Sequence, residues 1–327
     1  MTIEDILNLT EGTLRNTPAV QAVHAATAFP SKVDPGDLFF AVNPSDIPTA
    51  LSNGAYAIIH QGEPSITDPE VAWIAVDDIR DAAFRLLRYV LLKKEADFVL
   101  LRPHEMSLLR QMLTQRNTVT FLSDTWHKAF EQILNGPGHL FVSTDAALLK
   151  RIKPDHHRLK EEAHGYRVSD TLFRSTFRVE SYVYQDRELA PFHLPHLLRV
   201  VAFCRAHALP CSIDKVRYIR QFFPVFVNTR LEPVIRGTSE RVLIFTDNLE
   251  DIVQAREYIR YQATWVKSIV LTPPKTKVEK VEHPYWFETP EAAISILKKT
   301  YYHYAFIYAL DKELLKQIRS EQAPALF

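Results

Sequence analysis

Short apolar runs alternate with amphipathic segments along most of this chain. Three of the runs have the length and composition of buried strands: LFFAV at 38–42, AYAIIH at 55–60 and VAWIAV at 71–76. The segment between the first two, DIPTALSNG, has helical spacing and closes at Gly54, a residue type that commonly ends helices. Strands that alternate with helices in this way predict an α/β protein with parallel sheets.

The alternation continues towards the C-terminus. Further helices are predicted at 79–94 (capped by Asp77 or Asp78), 105–115, 124–135, 146–152 (capped by Asp145), 195–207, 212–223, 248–262 (capped by Asp247), 289–300 and 311–320. Further strands are predicted at 98–101, 118–123, 139–144, 172–185, 241–246, 267–272 and 304–309. The polar segment 154–166 is predicted to be a loop.

Glycine is scarce, with eight residues in a chain of 327. That is about a third of average usage. The strand at 98–101 runs into the next helix through Arg102-Pro103-His104-Glu105-Met106-Ser107. In many α/β proteins such a turn is a glycine-rich phosphate loop, but this one has neither glycine nor lysine. A standard loop for nucleotide phosphates is therefore not expected here.

Charge and cysteine content narrow the class of protein. Lysine plus arginine equals aspartate plus glutamate at 39 each, which removes the broad electrostatic argument for nucleic acid or an anionic membrane. No apolar stretch approaches the roughly 18 residues of a membrane span. The two cysteines, Cys204 and Cys211, do not form a disulfide framework. These features predict a cytoplasmic protein without a membrane span, and they leave its oligomeric state open.

Three segments of the first domain are similar to a known family: KVDPGDLFFAV at 32–42, NGAYAIIH at 53–60 and VAWIAVDDIRDAAFRLL at 71–87. In this order they resemble the N-terminal domain of the Mur ligases. These are ATP-dependent amino-acid ligases of peptidoglycan precursor synthesis, and those adding the later stem-peptide residues look nearest. Residues 194–234 resemble the helical part of the family's central domain, and residues 285–318 resemble the end of its C-terminal domain.

The resemblance implies an α/β fold with three domains. A Mur ligase N-terminal-like domain would span 1–95, a degenerate P-loop-type central domain 96–247, and a reduced Rossmann-like C-terminal domain 248–327. The family's phosphate loop reads G-T-x-G-K-T. On this register Arg102, Glu105, Met106 and Ser107 replace the first glycine, the second glycine, the lysine and the threonine. Only Ser107 keeps a group that could reach a magnesium ion, so no cofactor is expected.

Other family signatures are replaced as well. The central G-x-H-N-x-x-N run falls on His193, Pro195, His196 and Arg199, and the late D-S-Y-N-A-N-P segment falls on 246–249. The uridine-contacting D-S-R falls on residues 29–31. The resemblance leaves Ser107, Arg230 and Asp247 as remnants of a catalytic site. It leaves Ser31, Lys32 and Asp37 as candidate substrate-binding residues.

Two hypotheses follow from the resemblance, and they leave open whether the chain is an enzyme. The first is a Mur ligase-like pseudoenzyme that binds a UDP-linked muramoyl peptide or a protein of cell-wall synthesis. The second is an active ATP-dependent carbon–nitrogen ligase with a rearranged site, which would need ATP and Mg²⁺. There Arg102 and Arg230 would contact an acyl-phosphate or carboxylate, and Asp247 would hold the metal.

Histidines suggest a third hypothesis of hydrolysis at a metal site. His156, His157 and His164 lie in the polar loop, without the HExxH or CxxC spacing of zinc sites. His193 and His196, with Cys204 and Cys211, form a second group of metal-ligand types. A solvated loop and a buried core explain these residues better. No metal is therefore expected.

Overall fold

A computed structural model of the chain describes residues 1–63 and 66–315. The α-helices in these residues are α1 (Ile3–Thr10), α2 (Ile47–Ser52), α3 (Ile79–Leu91), α4 (Pro103–Met112), α5 (Trp126–Leu134), α6 (Ala146–Ile152), α7 (Leu194–Ala206), α8 (Leu249–Gln262) and α9 (Pro290–Lys299). The strands are β1 (Thr13–Leu14), β2 (Ala26–Thr27), β3 (Leu38–Phe40), β4 (Ala57–His60), β5 (Ala72–Ala75), β6 (Asp97–Leu100), β7 (Thr120–Phe121), β8 (Leu140–Ser143), β9 (His157–Arg158), β10 (Gly165–Asp170), β11 (Ser175–Val179), β12 (Tyr182–Arg187), β13 (Phe223–Val227), β14 (Arg241–Thr246), β15 (Ser268–Thr272), β16 (Tyr285–Trp286) and β17 (Tyr304–Tyr308).

The chain divides into two compact units. Unit 1 consists of Met1–Leu101 and Gln115–Leu159, and unit 2 consists of Arg102–Thr114 and the described part of Lys160–Phe327. Helix α4 therefore belongs to unit 2, although the strand that precedes it belongs to unit 1. The domain boundaries predicted at residues 95 and 247 stay predictions.

Unit 1 contains two sheets. The first has the order β1-β5-β4-β3-β2, with β1 antiparallel and the other strands parallel. Its central strands β3, β4 and β5 are buried throughout, as strands covered on both faces must be. The second is parallel, in the order β7-β8-β6-β9. Helix α3 contacts α1, α5 and α6, so one apolar core serves both sheets.

Unit 2 contains a three-stranded antiparallel sheet, β10-β11-β12, and a five-stranded sheet in the order β13-β14-β17-β15-β16. In the larger sheet β13 is antiparallel and the others are parallel. Alternate residues of β14 point to opposite faces: Val242 and Ile244 share a core with α8, whereas Leu243 and Phe245 share one with α9. Helices therefore cover both faces, as in a Rossmann-like sheet.

Most predicted elements are confirmed, but the helix predicted at 212–223 is wrong. Ile213–Lys215 forms a single 3-10 turn, and Phe223 already begins β13. The three-residue spacing of apolar residues is real, because Val216, Ile219 and Phe222 are all buried. The backbone instead bonds to α4: Ser212 N–H donates to the Met112 carbonyl at 2.9 Å. Tertiary contacts thus override helical spacing.

Two further predictions are corrected at the ends of elements. The cap of α8 is Asn248 rather than Asp247, because the Asn248 side chain accepts the Glu250 N–H at 2.8 Å. The polar segment 154–166 is not all loop, since it includes β9, which pairs with β6, and the start of β10. The helix predicted at 311–320 lies largely outside the described residues.

No helix in the part of the chain that the structure describes is long and apolar enough to cross a membrane.

Candidate functional site at the first turn of helix α4

Helix α4 begins with residues that leave its N-terminus little room for a ligand. Arg102 is extended, and Pro103 occupies the first helical position, where proline's fixed φ suits the helix. Proline also has no N–H, so one of the usual free donors at a helix start is missing. The Glu105 carboxylate folds back and accepts the Arg102 N–H at 2.8 Å. The Glu105 carboxylate therefore places a negative charge at the helix start, where an anionic ligand would otherwise bind.

The Glu105 carboxylate is only 2% exposed and has a cationic partner. Its Oε1 accepts Nε of Arg199 at 2.8 Å, and Arg199 also donates to Glu162 at 2.6 Å. Burial raises the pKa of Glu105, but His196, the Arg102 N–H and Arg199 lower it more and hold the pKa below its ordinary value. Glu105 is thus an ionised carboxylate fixed at the helix N-terminus.

A second buried acid lies beside this turn, between two histidines. Nε2 of His104 is 2.9 Å from Oδ2 of Asp251, and Nε2 of His193 is 3.0 Å from the same oxygen. All three residues are at least 96% buried, with exposures of 4%, 2% and 3% for His104, His193 and Asp251. The His196 ring stacks on His104, with centroids 4.5 Å apart and planes 7° apart.

Burial shifts the pKa of a histidine and the pKa of an aspartate in opposite directions. Burial lowers the pKa of His193, which makes the neutral imidazole its main form. Burial raises the pKa of Asp251, but hydrogen bonds from His104 and His193 outweigh that effect, and the pKa lies below its ordinary value. The group is therefore an ionised aspartate held by imidazoles.

Three helix N-termini contribute to this arrangement. His104 and Glu105 are the second and third residues of α4, His193 directly precedes α7, and Asp251 is the third residue of α8. The N-terminus of a helix carries a partial positive charge and favours anions. The buried anions in the first turns of α4 and α8 are the side chains of Glu105 and Asp251.

The predicted catalytic remnants lie in three different segments. Ser107 is half-buried on α4 and donates from Oγ to Oε1 of Gln221 at 2.8 Å. Asp247 pairs with Arg220 at 3.2 Å, and Arg230 is exposed on the turn after β13. Met106 is half-buried beside Ser107.

The predicted substrate-binding residues lie in unit 1. Ser31 is exposed, and Nζ of Lys32 lies 3.1 Å from Oε1 of Glu131. The buried Asp37 carboxylate accepts the backbone N–H groups of Ala25 and Asp34 at 3.1 and 3.0 Å. Asp37 thus organises the turn around Pro35-Gly36, and its role in binding a substrate stays a prediction.

A cleft in unit 2 includes one of the predicted residues. Its volume is about 460 Å³, and Asp247 contributes to its wall. The cleft lies at the carboxyl ends of β14 and β17, where open α/β sheets bind ligands. Arg220 and Lys312 add positive charge to the wall, and Asp311 and Glu313 add negative charge.

Sequence reasoning missed the buried group around Asp251. His193, His196 and Arg199 were singled out as replacements of a family signature, and the two histidines also as metal-ligand types beside Cys204 and Cys211. Asp251 looks like any acidic residue in a first helical turn. No local pattern links residues that are 147 positions apart, as His104 and Asp251 are. Among the described residues, the group of potential metal ligands contains His104, His193 and Asp251, and not the histidines of the polar loop.

Comparisons by sequence give no match, either to a family model or to a curated protein. Solved structures do match. A MurF ligase from Thermotoga maritima in complex with ADP is 12% identical with a TM-score of 0.55, and the match covers 91% of this chain and 96% of that one. MurF from Acinetobacter baumannii is 11% identical with a TM-score of 0.52, over 98% of both chains.

This chain has the Mur ligase fold. The expectation drawn from the segments 32–42, 53–60 and 71–87 is therefore confirmed for the fold. The predicted multi-domain α/β architecture is confirmed with it.

Proposed function

We propose that this chain is a Mur ligase-like pseudoenzyme that works by binding in peptidoglycan precursor synthesis and does not ligate amino acids with ATP. The observation that carries the proposal is the Glu105 carboxylate at the N-terminus of α4, bonded to the Arg102 N–H and to Arg199. A phosphate bound at that helix start would need the same N–H groups and the same positive potential.

Electrostatic repulsion opposes binding of a phosphate beside the Glu105 carboxylate. Like charges about 4 Å apart repel by about 4 kcal/mol at the effective dielectric of a protein surface. That energy corresponds to about a 1,000-fold loss of affinity. Met106 supplies no compensating charge, and the Ser107 hydroxyl already donates to Gln221. Each of these features argues against a bound triphosphate.

Calorimetric titration of the full chain with Mg-ATP tests the proposal. We expect no heat of binding at millimolar nucleotide, while the Thermotoga maritima MurF, whose structure holds ADP, serves as the positive control. The double variant Glu105→Gly, Met106→Lys should gain measurable affinity, because it removes the resident anion and restores a cation. Micromolar binding by the unchanged chain that Ser107→Ala weakens would overturn the proposal.

The binding role is tested with the precursor itself. We expect a UDP-linked muramoyl peptide to bind without ATP, and Ser31→Ala and Lys32→Ala to weaken that binding. If the precursor does not bind, mixing the chain with purified Mur ligases and measuring complex formation by analytical ultracentrifugation tests the protein partner. Failure of both would remove the binding role.

An active ligase with a rearranged site is the second candidate. The cleft lined by Asp247, Arg220 and Lys312 favours it, because charged groups at the carboxyl ends of parallel strands can position a substrate. Phosphate release from ATP in the presence of the muramoyl peptide and amino acids separates the candidates. The pseudoenzyme releases none, whereas an active ligase releases phosphate and loses this activity in Asp247→Asn.

A further inference from the structure

We infer that His104, His193 and Asp251 form a binding site for one divalent first-row transition-metal ion of octahedral preference, such as Co²⁺, Ni²⁺ or Fe²⁺. The three side chains offer ligand atoms that all lie within 4.8 Å of one another. They come from the starts of α4 and α8 and from the residue before α7, all in unit 2. The inference does not depend on the proposed function.

The two distances that join Asp251 to the histidines favour an octahedral over a tetrahedral ion. Oδ2 of Asp251 lies 2.9 Å from Nε2 of His104 and 3.0 Å from Nε2 of His193. An ion about 2.1 Å from each atom of such a pair would see the two atoms at an angle of about 90°. A tetrahedral ion would need about 3.4 Å between ligand atoms at the same bond length. Two histidines and one carboxylate are also the ligand types of the facial triad in octahedral sites.

The charge of the group also favours a cation. Within the described residues, the side chains paired with Asp251 are those of the two histidines, and no lysine or arginine pairs with it. The nearby cation Arg199 is shared by Glu105 and Glu162. Burying a charge is costly unless it is paired. A divalent ion would supply the missing positive charge.

The histidine rings are already held in place by their neighbours. His104 stacks on His196, and His193 packs edge-on against Phe192 and Phe222, with centroids 4.7 and 6.0 Å away. These ring contacts restrict the orientations that the two imidazoles can adopt. Metal binding through Nε2 needs each ligating imidazole to carry its proton on Nδ1.

The burial of the ligands determines how the ion enters. Because the three residues are at least 96% buried, the ion must enter during folding or through a local opening. The test therefore uses the untagged full chain stripped with a chelator, then unfolded in urea and refolded with Co²⁺. Visible absorption reports the coordination of Co²⁺, and elemental analysis after gel filtration reports the stoichiometry.

We expect one Co²⁺ per chain, with the weak absorption of six-coordinate cobalt, and a melting temperature that rises with Co²⁺ concentration. Asp251→Asn and His193→Gln should each weaken binding by more than about 100-fold, since losing even an outer partner of a ligand costs 10–100-fold. The double variant His156→Gln, His157→Gln is the matched control and should bind as the unchanged chain does.

Several outcomes overturn the inference: no bound Co²⁺ after refolding, intense absorption of tetrahedral cobalt, or equal loss of binding in the control. If the ligand variants do not fold, a measurement on the unchanged chain still tests whether both histidines bind the ion. The paramagnetic proton spectrum of the Co²⁺ protein should then show two shifted imidazole N–H signals, one for each ligating histidine. Fewer than two shifted signals would also overturn the site.

Discussion

Two of the buried carboxylates, Asp37 of unit 1 and Glu105 of unit 2, hold their surroundings together in different ways. Asp37 in unit 1 accepts two backbone N–H groups from residues 12 and 3 positions away. Glu105 in unit 2 accepts one N–H from 3 positions away, but its cation, Arg199, is 94 positions away. The first carboxylate completes a local turn, whereas the second joins distant helices. Polar contacts within a turn lie inside the span of a local sequence pattern, and those between helices do not.

Removing the Arg199 cation should have the largest effect on the free energy of unfolding. We expect Arg199→Ala to lower the free energy of unfolding by about 3–5 kcal/mol, because it leaves the buried Glu105 carboxylate without its cation. Urea denaturation followed by circular dichroism measures the loss. The double variant Arg199→Ala, Glu105→Gln should recover part of it. A single variant as stable as the unchanged chain would show that Glu105 does not depend on Arg199.

Removing the Asp37 carboxylate should lower the free energy of unfolding by a smaller amount. We expect Asp37→Ala to lower the free energy of unfolding by about 2 kcal/mol, since it leaves two N–H groups without an acceptor. Asp37→Asn keeps one acceptor oxygen and should cost less than Asp37→Ala. The same denaturation experiment compares both variants with Arg199→Ala. A loss larger than that of Arg199→Ala would reverse the difference between the two units.

The difference between local and distant contacts also explains what the sequence could predict. The strands 38–42, 55–60 and 71–76 are buried runs between turns, and all of them formed. The segment 212–223 had equally regular apolar spacing, but the side chain of Gln111 takes the Arg217 N–H that a helix would have used. The turn 102–107 has neither glycine nor lysine, but its sequence gives no sign that Glu105 and His104 find partners on α7 and α8. Spacing reports which side chains are buried and says little about their polar partners.

A buried histidine in unit 1, His60, should make the stability of the protein depend on pH. Burial lowers the pKa of His60 below its ordinary value of 6.5, so protonation favours the unfolded state. The stability that its neutral form contributes is complete above pH 6.5 and is lost as the pH falls towards the lower folded pKa. We expect the gap in unfolding free energy between the unchanged chain and His60→Gln to narrow below that pH. A gap independent of pH would contradict this.

The smallest expected effect concerns two thiols seven positions apart, a separation within the range of the local contacts of Asp37. A hydrogen bond from Cys204 lowers the pKa of the half-buried Cys211 thiol to about 7. Alkylation of Cys211 by iodoacetamide, followed by mass spectrometry across pH, should therefore have its midpoint near that value, because only the thiolate reacts. Cys204→Ala removes the donor and should move the midpoint up towards the ordinary value of 9.0. A midpoint that stays in place would mean that Cys211 owes its acidity to another neighbour, for which Arg205 is the candidate to replace next.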